Sequence, residues 1–162
     1  MVSANSPIKL RNVFTVSPKK NTLLIIAAIL DAIAAILHLA CIYFGAPLFR
    51  FLGTEEMARM YEAGHYLHPI IVCIFLATVL FIWAAYALSG AGVIRRLPFL
   101  RLSLIAITLI YFSRAFAFPL LAAYFPENGQ VFWYCSSLIV FVFGLFHLLG
   151  LKQVWFQLSA HK

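Results

Sequence analysis

Apolar residues along the chain fall into four long runs separated by polar punctuation. The first runs from about Thr22 to Phe44 and the second from about Tyr66 to Leu88. The third runs from about Pro98 to Leu121, and the fourth from about Gln130 to Leu151, with a continuation to Trp155 allowed. Each has the roughly 20 residues that a helix needs to cross a hydrocarbon core about 30 Å thick. Asn21 and Thr22 stand where caps belong at the start of the first run, and Gly45 and Pro47 end it. Ser89-Gly90-Ala91-Gly92 ends the second, and Pro126-Glu127-Asn128-Gly129 makes a tight turn before the fourth. Short connections make successive helices antiparallel neighbours. The pattern predicts an all-α membrane protein, an up-down bundle of four transmembrane helices. Residues 1–21 form a basic tail, residues 22–155 the membrane domain and residues 156–162 a short second tail.

The first loop carries a second, shorter pattern. Thr54-Glu55-Glu56-Met57 reads as a helix start, with Thr54 as cap and the acids at the favourable end of the dipole. A short amphipathic helix from Thr54 to Ala63 is expected there, lying on the membrane face.

Composition agrees with the pattern. The chain is 64% hydrophobic and only 10% charged, whereas soluble domains run near half apolar and a quarter charged. The net charge of +7 would suit nucleic-acid binding on a soluble surface, but its distribution gives it another meaning. Lys9, Arg11, Lys19, Lys20, Arg95, Arg96, Lys152 and Lys162 belong to the tails and the middle loop, with Arg101 just inside the next helix. The first and third loops are net acidic, with Arg50 and Arg59 outnumbered by Glu55, Glu56 and Glu62, and Glu127 alone in the third. The positive-inside rule then puts both termini in the cytoplasm. A bacterial inner membrane fits, as would other membranes that follow the rule. Tyr43, Tyr66, Tyr124, Trp133 and Tyr134 would mark the outer interface, and Trp83, Tyr86 and Trp155 the inner one. The first run is too long for a cleaved signal sequence and contains Asp31. His38 also spoils the lipoprotein-like Leu39-Ala40-Cys41. A retained span is expected.

Ionisable residues at membrane depth are costly and mark candidate sites. Here they are Asp31, His38, Arg114 and His147. Asp31 and His38 share a helix face with Ala27, Ala34 and Ala35, which would point into the bundle. His147 approaches Asp31 if the fourth helix continues to Trp155, giving either part of a proton relay or a structural hydrogen bond between helices. Asp31 and Arg114 differ in depth by roughly 10 Å, so Arg114 is expected to snorkel toward Glu62, Glu127 or lipid phosphate. Pro119 should kink the third helix just beyond Arg114. Asp31, His38, Tyr111, Arg114 and His147 are the candidate cavity residues, with Tyr111 and Arg114 assigned to the outer half.

His65 and His68 lie three apart, and with His38, Cys41 and Cys73 they compose a candidate metal or haem set. Cys135 falls in the same outer half. There is no CxxC, HExxH or CxxCH, no Gly-rich phosphate loop and no intramembrane carboxylate pair. Lone thiols in apolar helices usually act as small hydrophobes. The leading expectation is a non-enzymatic membrane protein without a cofactor. It would bind a lipid or hydrophobic molecule within its bundle, or serve as an accessory subunit of a membrane assembly. The alternatives are a haem- or metal-handling redox protein and a proton-coupled carrier acting as an oligomer. Its partners would be membrane lipids and other membrane proteins or copies of itself, not nucleic acid.

Overall fold

The computed structural model describes residues 20–124 and 129–159. The basic residues Lys9, Arg11 and Lys19 and the turn residues Pro126, Glu127 and Asn128 lie outside the described residues. Seven helices follow in order: α1 (Thr22–Phe44), α2 (Ala46–Phe51), α3 (Glu55–Glu62), α4 (Leu67–Gly90), α5 (Leu100–Phe116), α6 (Phe118–Tyr124) and α7 (Gln130–Ser159). Three of them, α1, α4 and α7, are singly long and apolar enough to cross a membrane. Helices α5 and α6 pass the same test only together, as a pair bent by 61°, and give a fourth span if the pair crosses as one. The described residues thus form an all-helical bundle with three or four long apolar helices that could span a membrane. Its burial pattern is inverted relative to a soluble protein: Ile29, Ile33, Ile36, Phe75, Leu109 and Leu138 all point outward.

Helix α1 packs chiefly on α4, and α5 on α7, while α1–α7 and α4–α5 contacts close the bundle. Small residues permit the first pairing. Ala27 and Ala28 of α1 meet Ala84 and Ala87 of α4 in one buried cluster, so the backbones approach closely. On α7 the buried positions Trp133, Ser137, Gly144, His147, Leu151 and Val154 recur at spacings of three, four or seven, the seam of a left-handed bundle. Gly144 and Gly150 sit on that seam. A Cβ at Gly150 would meet Leu24 at 2.6 Å, and one at Gly144 would stand 3.1 Å from the Cβ of Tyr111.

One end of the bundle carries Arg95, Arg96 and Arg101 and is called the basic end below. There Asn21 caps α1, accepting from the Leu24 amide at 2.9 Å, and donates to Gln153 of α7 at 2.8 Å. Ser89 accepts from the Leu97 amide and donates to the Arg95 carbonyl, which fastens the α4–α5 loop. Arg101 lies over the Trp155 ring at 3.6 Å.

The opposite end is closed by α2 and α3. The sequence led us to expect only one helix here, because Gly45-Ala46-Pro47 reads as a stop. Gly45 does stop α1, at φ +66°, but Pro47 then stands in the first turn of α2, where its missing N–H is harmless. Phe49 and Ala58 from α2 and α3 join Cys41 and Cys73 in a buried cluster. The Tyr61 hydroxyl donates to the Ile42 carbonyl at the end of α1. Helix α3 begins at Glu55, as the pattern predicted, but Thr54 is not its side-chain cap. Its hydroxyl donates back to the Phe49 carbonyl at 3.0 Å instead.

The third span breaks where Pro119 requires. Proline has no N–H for the Ala115 carbonyl, and α5 ends at Phe116 with α6 leaving at the 61° angle. The fourth helix runs past Trp155 to Ser159, which sets His147 well inside it.

Candidate functional site

Three helices bring one polar side chain each to the middle of the bundle. Asp31 comes from α1, Tyr111 from α5 and His147 from α7. Asp31 and His147 have no accessible surface, and Tyr111 is 5% exposed. The Tyr111 hydroxyl donates to Asp31 Oδ1 at 2.6 Å. His147 Nδ1 donates to the Phe143 carbonyl one turn back on α7, at 3.0 Å, the tautomer being set by the acceptor it faces. His147 Nε2 then stands 3.3 Å from Asp31 Oδ2, without the alignment of a good hydrogen bond.

With Nδ1–H committed to a carbonyl, His147 turns Nε2 toward Asp31 Oδ2, so the two side chains are electrostatically coupled in a low-dielectric interior. Aromatic rings seal the group of three. Trp83 of α4 meets Tyr111 edge-on at 5.0 Å, Phe143 does so at 5.7 Å, and the His147 ring lies 5.3 Å from that of Tyr111. All four spans thus contribute to one clasp.

Sequence reasoning placed Asp31 and His147 together, on the condition that the fourth helix was long, and that pairing is found. It put Tyr111 in the outer half of its span without linking it to Asp31, and the structure adds that link, with the hydroxyl level with the Asp31 carboxylate. A side chain on a helix leans toward the helix N-terminus. On α5 that direction is the basic end, so the tyrosine reaches down to meet Asp31. Trp83 was read as an interface marker and instead packs on Tyr111. Its signal was the small-residue stripe of α4, which brings that helix close enough for a ring to reach the centre.

Arg114 takes no part in the clasp. Its guanidinium lies 5.4 Å from the centre of the Trp133 ring on α7. The expected reach toward Glu62 is not found: α3 makes no contact with α5, and Glu62 is held by Arg50 through two 2.6 Å hydrogen bonds. The Glu127 alternative lies outside the described residues. Trp133, expected at an interface, is 5% exposed and buried beside Arg114.

The candidate metal set does not gather into one group. His38 Nδ1 donates to the Ala34 carbonyl of its own helix at 2.7 Å. His65 and His68 are exposed and line a shallow open groove with Gly64, Tyr66 and Ile70. Cys41 and Cys73 are buried neighbours beneath α2 and α3, while Cys135 is exposed. Among the described residues, no three His, Cys, Asp or Glu side chains form a set able to hold a metal ion.

Comparison with family models, with curated proteins and with solved structures finds no match to this chain. The functional reading therefore rests on the chain's own residues.

Proposed function

We propose that this chain is a non-enzymatic membrane protein that binds an amphipathic lipid beside the α5–α6 bend. In this reading the central clasp is structural: it locks α1, α5 and α7 and offers no passage. The single observation that carries the proposal is a set of buried donors near the α5–α6 bend with nothing facing them. At the centre Asp31 Oδ2 and His147 Nε2 also lack an aligned hydrogen bond, but they stand 3.3 Å from each other. Arg114, Trp133 and Ser137, toward the opposite end, present polar atoms with no partner among the described residues. They lie where α6 turns away from the bundle. The charge distribution favours the outer leaflet for this end.

The other expectations find less support. A proton-coupled carrier would run through Asp31 and His147, and Tyr111 holds Asp31 by a 2.6 Å hydrogen bond within a shell of rings from Trp83 and Phe143. A haem or metal protein needs ligands that converge, and His38 is engaged with its own backbone.

The test is native mass spectrometry of the protein extracted in a mild nonionic detergent. The proposal expects a population carrying one lipid-sized adduct per chain. Protein free of any lipid-sized adduct, at detergent concentrations that keep it folded, overturns it.

A further inference from the structure

Three buried donors share one neighbourhood on α5 and α7. Arg114 Nη1, Trp133 Nε1 and Ser137 Oγ are all shielded from solvent and have no hydrogen-bond partner among the described residues. Trp133 is 5% exposed and Ser137 8%. Arginine and the indole N–H can only donate, and the serine hydroxyl can do so as well. A buried polar group left without a partner costs about 1–3 kcal/mol, and more where it is charged. Three together on one seam call for an acceptor.

The register places them. Gly144 of α7 faces Tyr111 of α5. From that level Ser137 lies seven residues toward the opposite end, roughly 10 Å along the helix, and Trp133 one further turn on. Arg114 lies three residues beyond Tyr111 in the same direction. Its guanidinium, close to Trp133, is therefore carried away from the clasp. Pro119 then ends the straight part of the span. The donor set lies between α5 and α7 below the bend, at the depth where one end of the bundle gives way to the interface.

We infer that Arg114, Trp133 and Ser137 hold the phosphodiester of a glycerophospholipid; this rests on the lipid-binding reading above and gives its headgroup chemistry. One guanidinium balances one phosphodiester charge. Arginine's planar fork suits paired phosphate oxygens, and the indole N–H and serine hydroxyl supply neutral donors to the same group. The exposed faces of Phe116, Leu120, Tyr134 and Leu138 border the site on the lipid side and offer apolar surface to the acyl chains.

The experiment is lipid exchange on delipidated protein in nonionic detergent, read by native mass spectrometry. The probes are phosphatidylglycerol, diacylglycerol of the same chains, oleate, and inorganic phosphate as competitor. The inference expects phosphatidylglycerol to be retained at least about tenfold better than diacylglycerol or oleate, the scale of a charge-assisted hydrogen bond. Inorganic phosphate should not displace it. Arg114→Gln should abolish the preference, Arg114→Lys should keep part of it, and Trp133→Phe and Ser137→Ala should each reduce it. The last two are near-isosteric and keep the inference testable if Arg114→Gln does not fold. Glu127→Gln should change nothing; a rise in retention would mean that this carboxylate competes for Arg114, and would overturn the inference. Equal retention of phosphatidylglycerol and diacylglycerol would overturn the headgroup assignment while leaving lipid binding intact. Preferential retention of oleate would replace the phosphodiester with a carboxylate, and displacement by inorganic phosphate would show a free-anion site. Retention of none of the lipids would overturn both readings.

Discussion

Tyr111 donates its hydroxyl to Asp31 across 2.6 Å, from α5 to α1, with neither residue more than 5% exposed. That bond joins two helices far apart in sequence, and His147 adds a third. Replacing Tyr111 with Phe keeps the ring against Trp83 and Phe143 and removes only the donor. The expected loss is about 1–2 kcal/mol, near the top of what interhelical hydrogen bonds contribute in membranes. Unfolding in mixed detergent micelles would measure it.

Asp31 and His147 should behave as one unit. Removing a single member of a buried pair typically costs about 3–5 kcal/mol, because the partner is left uncompensated. Asp31→Leu and His147→Leu should each be strongly destabilising. The double variant should cost clearly less than their sum, giving a non-additive cycle. An additive cycle would mean that the 3.3 Å approach carries no coupling.

The two seam glycines should tolerate little. A Cβ at Gly150 meets the Leu24 side chain at 2.6 Å and its backbone nitrogen at 3.1 Å. Gly150→Ala is expected to cost about 1–3 kcal/mol through overpacking. Gly144→Ala, 3.1 Å from the Tyr111 Cβ, should also loosen the Tyr111–Asp31 bond. Combining Gly144→Ala with Tyr111→Phe should then be less than additive in the same unfolding assay.

Much of this was legible in the sequence. Run length alone located α1, α4, α7 and the bent α5–α6 pair, and the first run agrees with α1 at both ends. Asp31 and His147 could be paired by counting residues from helix ends. The depth of Tyr111 could not, because it depends on which way a side chain leans. Helix α2 was hidden because Gly45 and Pro47 signal a stop and, equally, the start of a new helix at an angle. The neighbourhood of Arg114 was out of reach for another reason. Its contact with Trp133 depends on the α5–α7 register, which Gly144 sets against Tyr111 and which no spacing within either run reveals.

Acid should act on the α2–α3 end through one pair. Arg50 grips Glu62 and holds its carboxyl below the usual range, chiefly through their hydrogen bonds. A depressed carboxyl stabilises above its unfolded value, about 4.3, and that contribution is lost as pH falls through the lower folded value. From neutral pH down to about 5 no change is expected. Both side chains are exposed, so the effect is small and screened by salt. An NMR titration should show Glu62 returning to the ordinary carboxylate range in Arg50→Gln.

The buried polar groups fall into a central clasp whose members face one another and a donor set proposed to bind lipid. Thermal unfolding with and without added phosphatidylglycerol tests that division most directly. A ligand that binds only the folded state adds stability according to its saturation. Lipid should raise the midpoint of the wild type and of Tyr111→Phe by a similar amount, roughly 5 °C near saturation. Arg114→Gln should show almost no rise. An equal rise in Arg114→Gln, or one lost in Tyr111→Phe but kept in Arg114→Gln, would contradict the account.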